Sequence, residues 1–134
     1  MKNKCLIIVL LGIILFAYNA NASDRQFSVL FNVSTENELT DRVKSFISRE
    51  LRELPDVKIV DRLVREKGQY FISVAAVPIK SSNITIGVAV SFLIQDGDRI
   101  MHDLLAGTKD DLKNICQNIV SSFDTTALEP SRQK

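Results

Sequence analysis

The sequence predicts an α+β fold: a two-layer α/β sandwich in the order β-α-β-β-β-β-α, whose mixed, mostly antiparallel sheet carries two helices on one face. Three observations predict it. Two stretches place apolar residues at helical spacing, several others alternate or run continuously apolar over strand lengths, and two polar turn signals join the later runs into hairpins. At 134 residues, 46% hydrophobic and 25% charged, the chain has the composition of one compact domain and no room for a second.

Phe27, Val29, Phe31 and Val33 fall at every second position, which puts them on one side of an extended segment, the first strand. Thr35 stands three residues before Glu38, the spacing at which each side chain accepts the other's backbone N–H at a helix start. Leu39, Val43, Phe46, Ile47, Leu51 and Leu54 then form a single helical stripe, and Pro55 ends the helix because it disfavours helical geometry in the residue before it. Residues 57–64 alternate imperfectly and form a second strand. A one-helix crossover sets it parallel to the first, and Lys67-Gly68 is the turn that follows. Residues 70–79 and 84–94 are strong strand runs on either side of the polar turn 80–83, an antiparallel hairpin. Asp96-Gly97, within residues 95–99, tolerates positive φ and marks a second hairpin leading to a short last strand over 100–105. Gly107 breaks the strand pattern. Thr108 and Asp111 then repeat the helix-start spacing before a second stripe of Leu112, Ile115, Cys116, Ile119, Val120 and Phe123. Residues 127–134 are polar, contain Pro130 and are expected to be a flexible tail, so the domain spans 23–126.

Residues 1–22 stand apart. Lys2 and Lys4 precede an unbroken apolar run from Cys5 to Ala17, and Ala20-Asn21-Ala22 supplies small residues just before Ser23, which together make a cleaved secretory signal peptide. The run of roughly 13 residues is shorter than the ~20 a helix needs to cross a bilayer. No Cys stands at the cleavage point to accept lipid, so no stable membrane anchor is expected after cleavage. The short basic start points to a bacterial source and a periplasmic or secreted protein. Cleavage leaves 112 residues, with 15 of the 17 basic residues against all 16 acidic ones, a net charge of −1. That balance gives no field to gather phosphate backbones, which argues against a nucleic-acid partner. Cys116 becomes the only cysteine, so no intramolecular disulfide forms, and its place in the helical stripe buries it as a small hydrophobe.

Catalytic and metal patterns are absent. His102 is the only histidine, which rules out sites built from two or three imidazoles, and no Gly-x-Ser-x-Gly turn or glycine-rich phosphate loop accompanies it. Asp96, Asp98 and Asp103 fail the helix-loop-helix calcium spacing because Ile100 stands where an oxygen ligand is needed. Asp61, between Ile59 and Leu63, is the one acidic residue whose position suggests a role. No cofactor and no metal is implied.

The two sheet faces carry the functional expectation. Phe27, Val29, Phe31, Ile84, Ile86, Val88, Val90, Phe92 and Ile94 are expected to point at the helices. The opposite face then holds Leu30, Val60, Val64, Phe71, Ala75, Val77, Ala89 and Leu93 among Ser28, Ser73, Thr85 and Ser91. Small and medium apolar residues mixed with hydroxyls suit a flat surface that meets an envelope protein or a second copy of the chain, with Leu30, Val60, Phe71, Ala75, Val77, Ala89 and Leu93 as contact residues.

Leu51-Arg52-Glu53-Leu54-Pro55-Asp56-Val57-Lys58-Ile59-Val60-Asp61-Arg62, a helix end running into an edge-like strand before a hairpin and a closing helix, resembles the small α/β domain of bacterial envelope proteins such as the TolB N-terminal domain and the curli-secretion CsgG-like family. The resemblance covers most of residues 27–124 in element order. It lacks the lipid-acceptor cysteine of the secretion lipoproteins and the propeller of TolB. It implies a non-catalytic periplasmic module acting by contact, through the open sheet face or by strand addition at an edge. The alternative expectation is a small-ligand binder or hydrolase with a site at the hairpin ends near Asp61, Asp96 and His102.

Overall fold

The computed structural model describes residues 25–62 and 68–134; the expected signal peptide, together with Leu63, Val64 and Lys67, lies outside the described residues. The chain forms an α+β fold with an open five-stranded sheet: β1 (Phe27–Thr35), α1 (Asn37–Glu53), β2 (Val57–Ile59), β3 (Gln69–Ser81), β4 (Ile84–Asp96), β5 (Arg99–Thr108) and α2 (Leu112–Phe123). The strand order is β2-β1-β3-β4-β5. The crossover through α1 sets β2 parallel to β1, β3 pairs with β1 on its other side, also parallel, and β3-β4-β5 is an antiparallel meander. Among the described residues no helix is long and apolar enough to cross a membrane.

Alternation puts Tyr70, Ile72, Val74 and Ala76 of β3 and Val88, Val90, Phe92 and Ile94 of β4 on the helix side, all of them buried. Val43, Ile47 and Leu51 of α1 and Ile115, Ile119 and Phe123 of α2 meet them in one core. Phe46 and Leu54 are the two stripe residues left at its margin. Cys116 is fully buried, and burial pushes its thiol up to about 11, which leaves it protonated and unreactive at neutral pH.

Several expectations are corrected. The helix start falls one residue later than expected: the cap of α1 is Glu36 rather than Thr35, its carbonyl accepts from the Leu39 amide at 2.9 Å, and the Thr35 hydroxyl donates to that same carbonyl; the Glu38 side chain lies outside those described. The box at Thr108–Asp111 does form, with the Thr108 amide and hydroxyl both donating to Asp111 Oδ2 at 2.9 and 2.7 Å. Strand β2 is three residues long and bends away at Asp61-Arg62. Gly107 does not end β5. It pairs with Val88, and a Cβ on Gly87 would lie 2.7 Å from the Gly107 carbonyl oxygen, so the bare glycine lets the two backbones close together. The β3–β4 turn is the two-residue loop Ser82-Asn83, both at positive φ, the geometry that matches strand twist in a tight hairpin.

Ile84 and Ile86 are not on the helix side as core residues; they are 68% and 56% exposed. The register pairs Ile79 with Gly87 and Lys80 with Thr85, which leaves Ile86 as the extra residue of a bulge and reverses the faces beyond it. Thr85 therefore joins Lys80 on the helix side, where Lys80 reaches Glu36 at 3.1 Å, and is not part of the open face.

The largest departure is at the C-terminus. Residues 127–134 are not a free tail: Asp124–Leu128 makes a π-helical turn, Glu129–Arg132 a further helical turn (α3), and Ala127 and Leu128 are buried. Tyr70 stacks edge-on against Phe27 and Phe123, with ring centroids 5.9 and 5.3 Å away, and its hydroxyl donates to Ser131 at 2.8 Å. Arg132 grips both oxygens of Asp56 at 2.6 and 2.8 Å and approaches Asp124 at 2.7 Å.

Hydrogen bonds from Arg132 hold the Asp56 carboxyl below its ordinary 3.8. A depressed folded-state value means this contact contributes its full stability above pH 3.8 and loses it as the pH falls below that. The melting temperature of wild type should therefore exceed that of Asp56→Asn most at pH 5 to 7, with the gap closing between about pH 4 and pH 2. A gap that stays constant across that range would contradict the contact.

Candidate functional site

Among the described residues, none covers the side of the sheet away from the helices. Register places Leu30 beside Phe71, Gln95 and Ile100; Asn32 beside Ser73, Leu93 and His102; Ser34 beside Ala75, Ser91 and Leu104; and Val77 beside Ala89 and Ala106. Along β1, β3, β4 and β5 these positions include no Asp, Glu, Lys or Arg, in a chain one quarter charged. Val77, Ile100 and Leu104 are 60%, 61% and 62% exposed, and Ile79 also stands clear of the surface.

Of the expected contact residues, Ala75 and Val77 are exposed on this face and Leu30, Phe71, Ala89 and Leu93 are half-buried on it. Val60 lies just past β2, half-buried, with its amide donating to the Val29 carbonyl at 2.9 Å. Ile100, Leu104 and Ala106 belong to the same surface and were missed. The Asp96–Arg99 hairpin fixes them: once Asp96 is paired with Arg99, every even-numbered residue of β5 falls on the open side.

Within the face, Ser91 Oγ and His102 Nε2 share a hydrogen bond at 2.8 Å. This is not a triad. Asp103 is paired with the helix-side residue Phe92 and its Oδ1 accepts from the Leu104 amide at 2.7 Å, so it does not orient the imidazole. Asp61, Asp96 and His102 are not brought together. Asp61 follows one edge strand and His102 sits on the other, four strand spacings or about 19 Å across the sheet. Asp96 is paired with Tyr70 and bound to Arg99, at the end of the sheet, in an open groove of about 1080 Å³ that neither Asp61 nor His102 lines. Among the described residues no group of three His, Cys, Asp or Glu side chains is placed to hold a metal ion.

The free edge of β5 is blunted. Two of its backbone amides, those of Leu104 and Thr108, donate to the Asp103 and Asp111 carboxylates, which occupy donors an added strand would use.

No protein-family model and no curated protein matches the chain. A solved structure described as "Crystal structure of uncharacterized protein" aligns with 78% of this chain and 91% of its own length, at 8% identity and a TM-score of 0.46.

Proposed function

We propose that the chain is an exported, non-enzymatic protein of the bacterial envelope, an interaction or assembly accessory module that works by protein–protein contact through the open face of its sheet. The observation that carries this reading is the stretch of the face over β1, β3, β4 and β5, which holds no charged side chain and from which Val77, Ile100 and Leu104 project. A face built only to meet water carries charge at alternate positions, and a concentrated apolar patch rimmed by polar residues is what contact surfaces have. The face is favoured over strand addition because the carboxylates of Asp103 and Asp111 occupy the edge of β5. Export is supported by the basic start, apolar run and Ala20-Asn21-Ala22 of residues 1–22, and the envelope by the resemblance of residues 51–62 to small domains of that compartment.

A photo-crosslinking side chain placed at Val77 in cells producing the full chain tests the reading, with the same group at Lys113, an exposed position on α2, as control. A discrete heavier adduct from position 77 and none from 113 is the expected outcome. Failure of position 77 to give any adduct, or equal products from both positions, would overturn it.

A further inference from the structure

We infer that the tip of the β3–β4 hairpin docks reversibly on an anionic lipid bilayer, its isoleucines entering the interface while the basic side chains beside them meet phosphate headgroups. This contact is separate from the one proposed for the open face. The hairpin outruns its neighbours: β1 pairs with β3 only as far as Ala76, and β5 pairs with β4 only from Gly87, so β3 beyond Ala76 and β4 before Gly87 have only each other. The result is a two-stranded arm that reaches about 16 Å past the sheet, enough to enter the ~5 to 10 Å of a bilayer interface while the domain stays in water.

Apolar surface collects on this arm. Among the described residues six large hydrophobic side chains are exposed, and four of them, Val77, Ile79, Ile84 and Ile86, lie on it. Val77 stands at its root and the three isoleucines farther out. The bulge at Ile86 produces this arrangement, because without it the alternation of β4 would turn Ile84 and Ile86 toward the helices. With it, Ile84 sits opposite Ser81 on the side of Ile79, and Lys80 and Thr85 share the other side. Lys80 is the only charged residue from 77 to 86. Behind it lies a hollow of about 600 Å³ lined by Lys80, Arg42, Lys109 and a single carboxylate, Glu36. Glu36 is taken by Lys80 at 3.1 Å, and neither Arg42 nor Lys109 has an ion pair among the described residues, so two positive charges are left in excess. Neither Asp41 nor Asp110 lines the hollow.

An apolar tip with uncompensated positive charge behind it matches the layering of an anionic bilayer, in which acyl chains lie beneath a sheet of phosphates. Pro78 and the bulge make the arm a poor edge for an added strand, which leaves its side chains to make the contact.

Flotation of the chain without residues 1–22, which keeps every residue of the core, tests the docking with vesicles of equal parts phosphatidylglycerol and phosphatidylcholine beside vesicles of phosphatidylcholine alone. Wild type should float with the anionic vesicles and bind the neutral ones at least about tenfold more weakly. Ile84→Ser/Ile86→Ser should weaken binding at least about tenfold by removing inserted aliphatic surface, and Arg42→Gln/Lys109→Gln by about tenfold through lost headgroup contacts. Ile100→Ser/Leu104→Ser, which removes equally exposed apolar side chains from the open face, should bind as wild type does. Unchanged melting temperatures show that these exposed substitutions spare the fold. Equal binding to both vesicles, a hairpin or hollow variant that binds as wild type does, or an equal loss from Ile100→Ser/Leu104→Ser would each overturn the docking. A hairpin that instead meets a protein or a second copy would leave every chain unfloated, which also overturns it.

Discussion

Deletion of residues 127–134 should destabilise the domain so strongly that the shortened chain is largely unfolded at 37 °C. Leu128 is fully buried, and truncating such a residue alone costs about 2 to 5 kcal/mol. The deletion also removes the Ser131 hydroxyl to which Tyr70 donates and strips cover from the Tyr70 ring, a further loss of about one to two kcal/mol where full burial of a large side chain is worth about 1.5 to 3. Asp56 and Asp124 lose the guanidinium that lies between them. Against a total stability of about 5 to 15 kcal/mol for a domain of this size, little remains. Circular dichroism melts of the full and shortened chains measure it. A shortened chain melting within a few degrees of the full one would show that the C-terminal turns are ornamental.

Replacing Ile72 by Lys should abolish folding. Ile72, the fourth residue of β3, has no exposure and belongs to the core that the sheet forms with the helices. The change removes a buried aliphatic side chain, at a cost of about 2 to 5 kcal/mol, and sets an ammonium where the surroundings are apolar, a further several kcal/mol. None of the charged residues among those described is buried, so no carboxylate waits in the core to receive it. A lysine long enough to snorkel would have to displace α1 or α2 to reach water. The expected result is a chain without a cooperative melt, recovered mainly from the insoluble fraction.

Much of this architecture was legible in the residues, because local periodicity reports which way a side chain points and little else. The stripes from Val43 to Leu51 and from Leu112 to Phe123, and the alternation along Tyr70 to Ala76, were enough to give the two helices, their shared flank and the open face opposite. Pairing across long sequence separations was not. Nothing in β1 says that its second neighbour is β3, running parallel, because the order of strands is settled by the whole sheet. The bulge at Ile86 was hidden for a related reason: Ile84, Ile86 and Val88 continue an unbroken alternation, and only the partner strand reveals the slip. The C-terminal turns were hidden by composition. The polar run over 127–134 with Pro130 reads as a fraying tail, yet Ala127 continues the stripe four residues after Phe123, and Pro130 is tolerated at the start of a helical turn. Of the candidate site, β1, β3 and β4 were legible by alternation. The contribution of β5 was lost because the apparent break at Gly107 made that strand look too short to extend the face.

The central claim, that the sheet is covered on one side and bare on the other, is tested most directly by two neighbours on one strand. Phe71 and Ile72 differ by one position and, by strand geometry, point to opposite faces. Melting curves of Phe71→Lys and Ile72→Lys, recorded at a concentration where both chains are monomeric, should show a cooperative transition within about 5 °C of wild type for the first and none for the second. Two variants that unfold alike would mean that β3 is enclosed on both sides and that the sandwich has a layer the fold described above lacks.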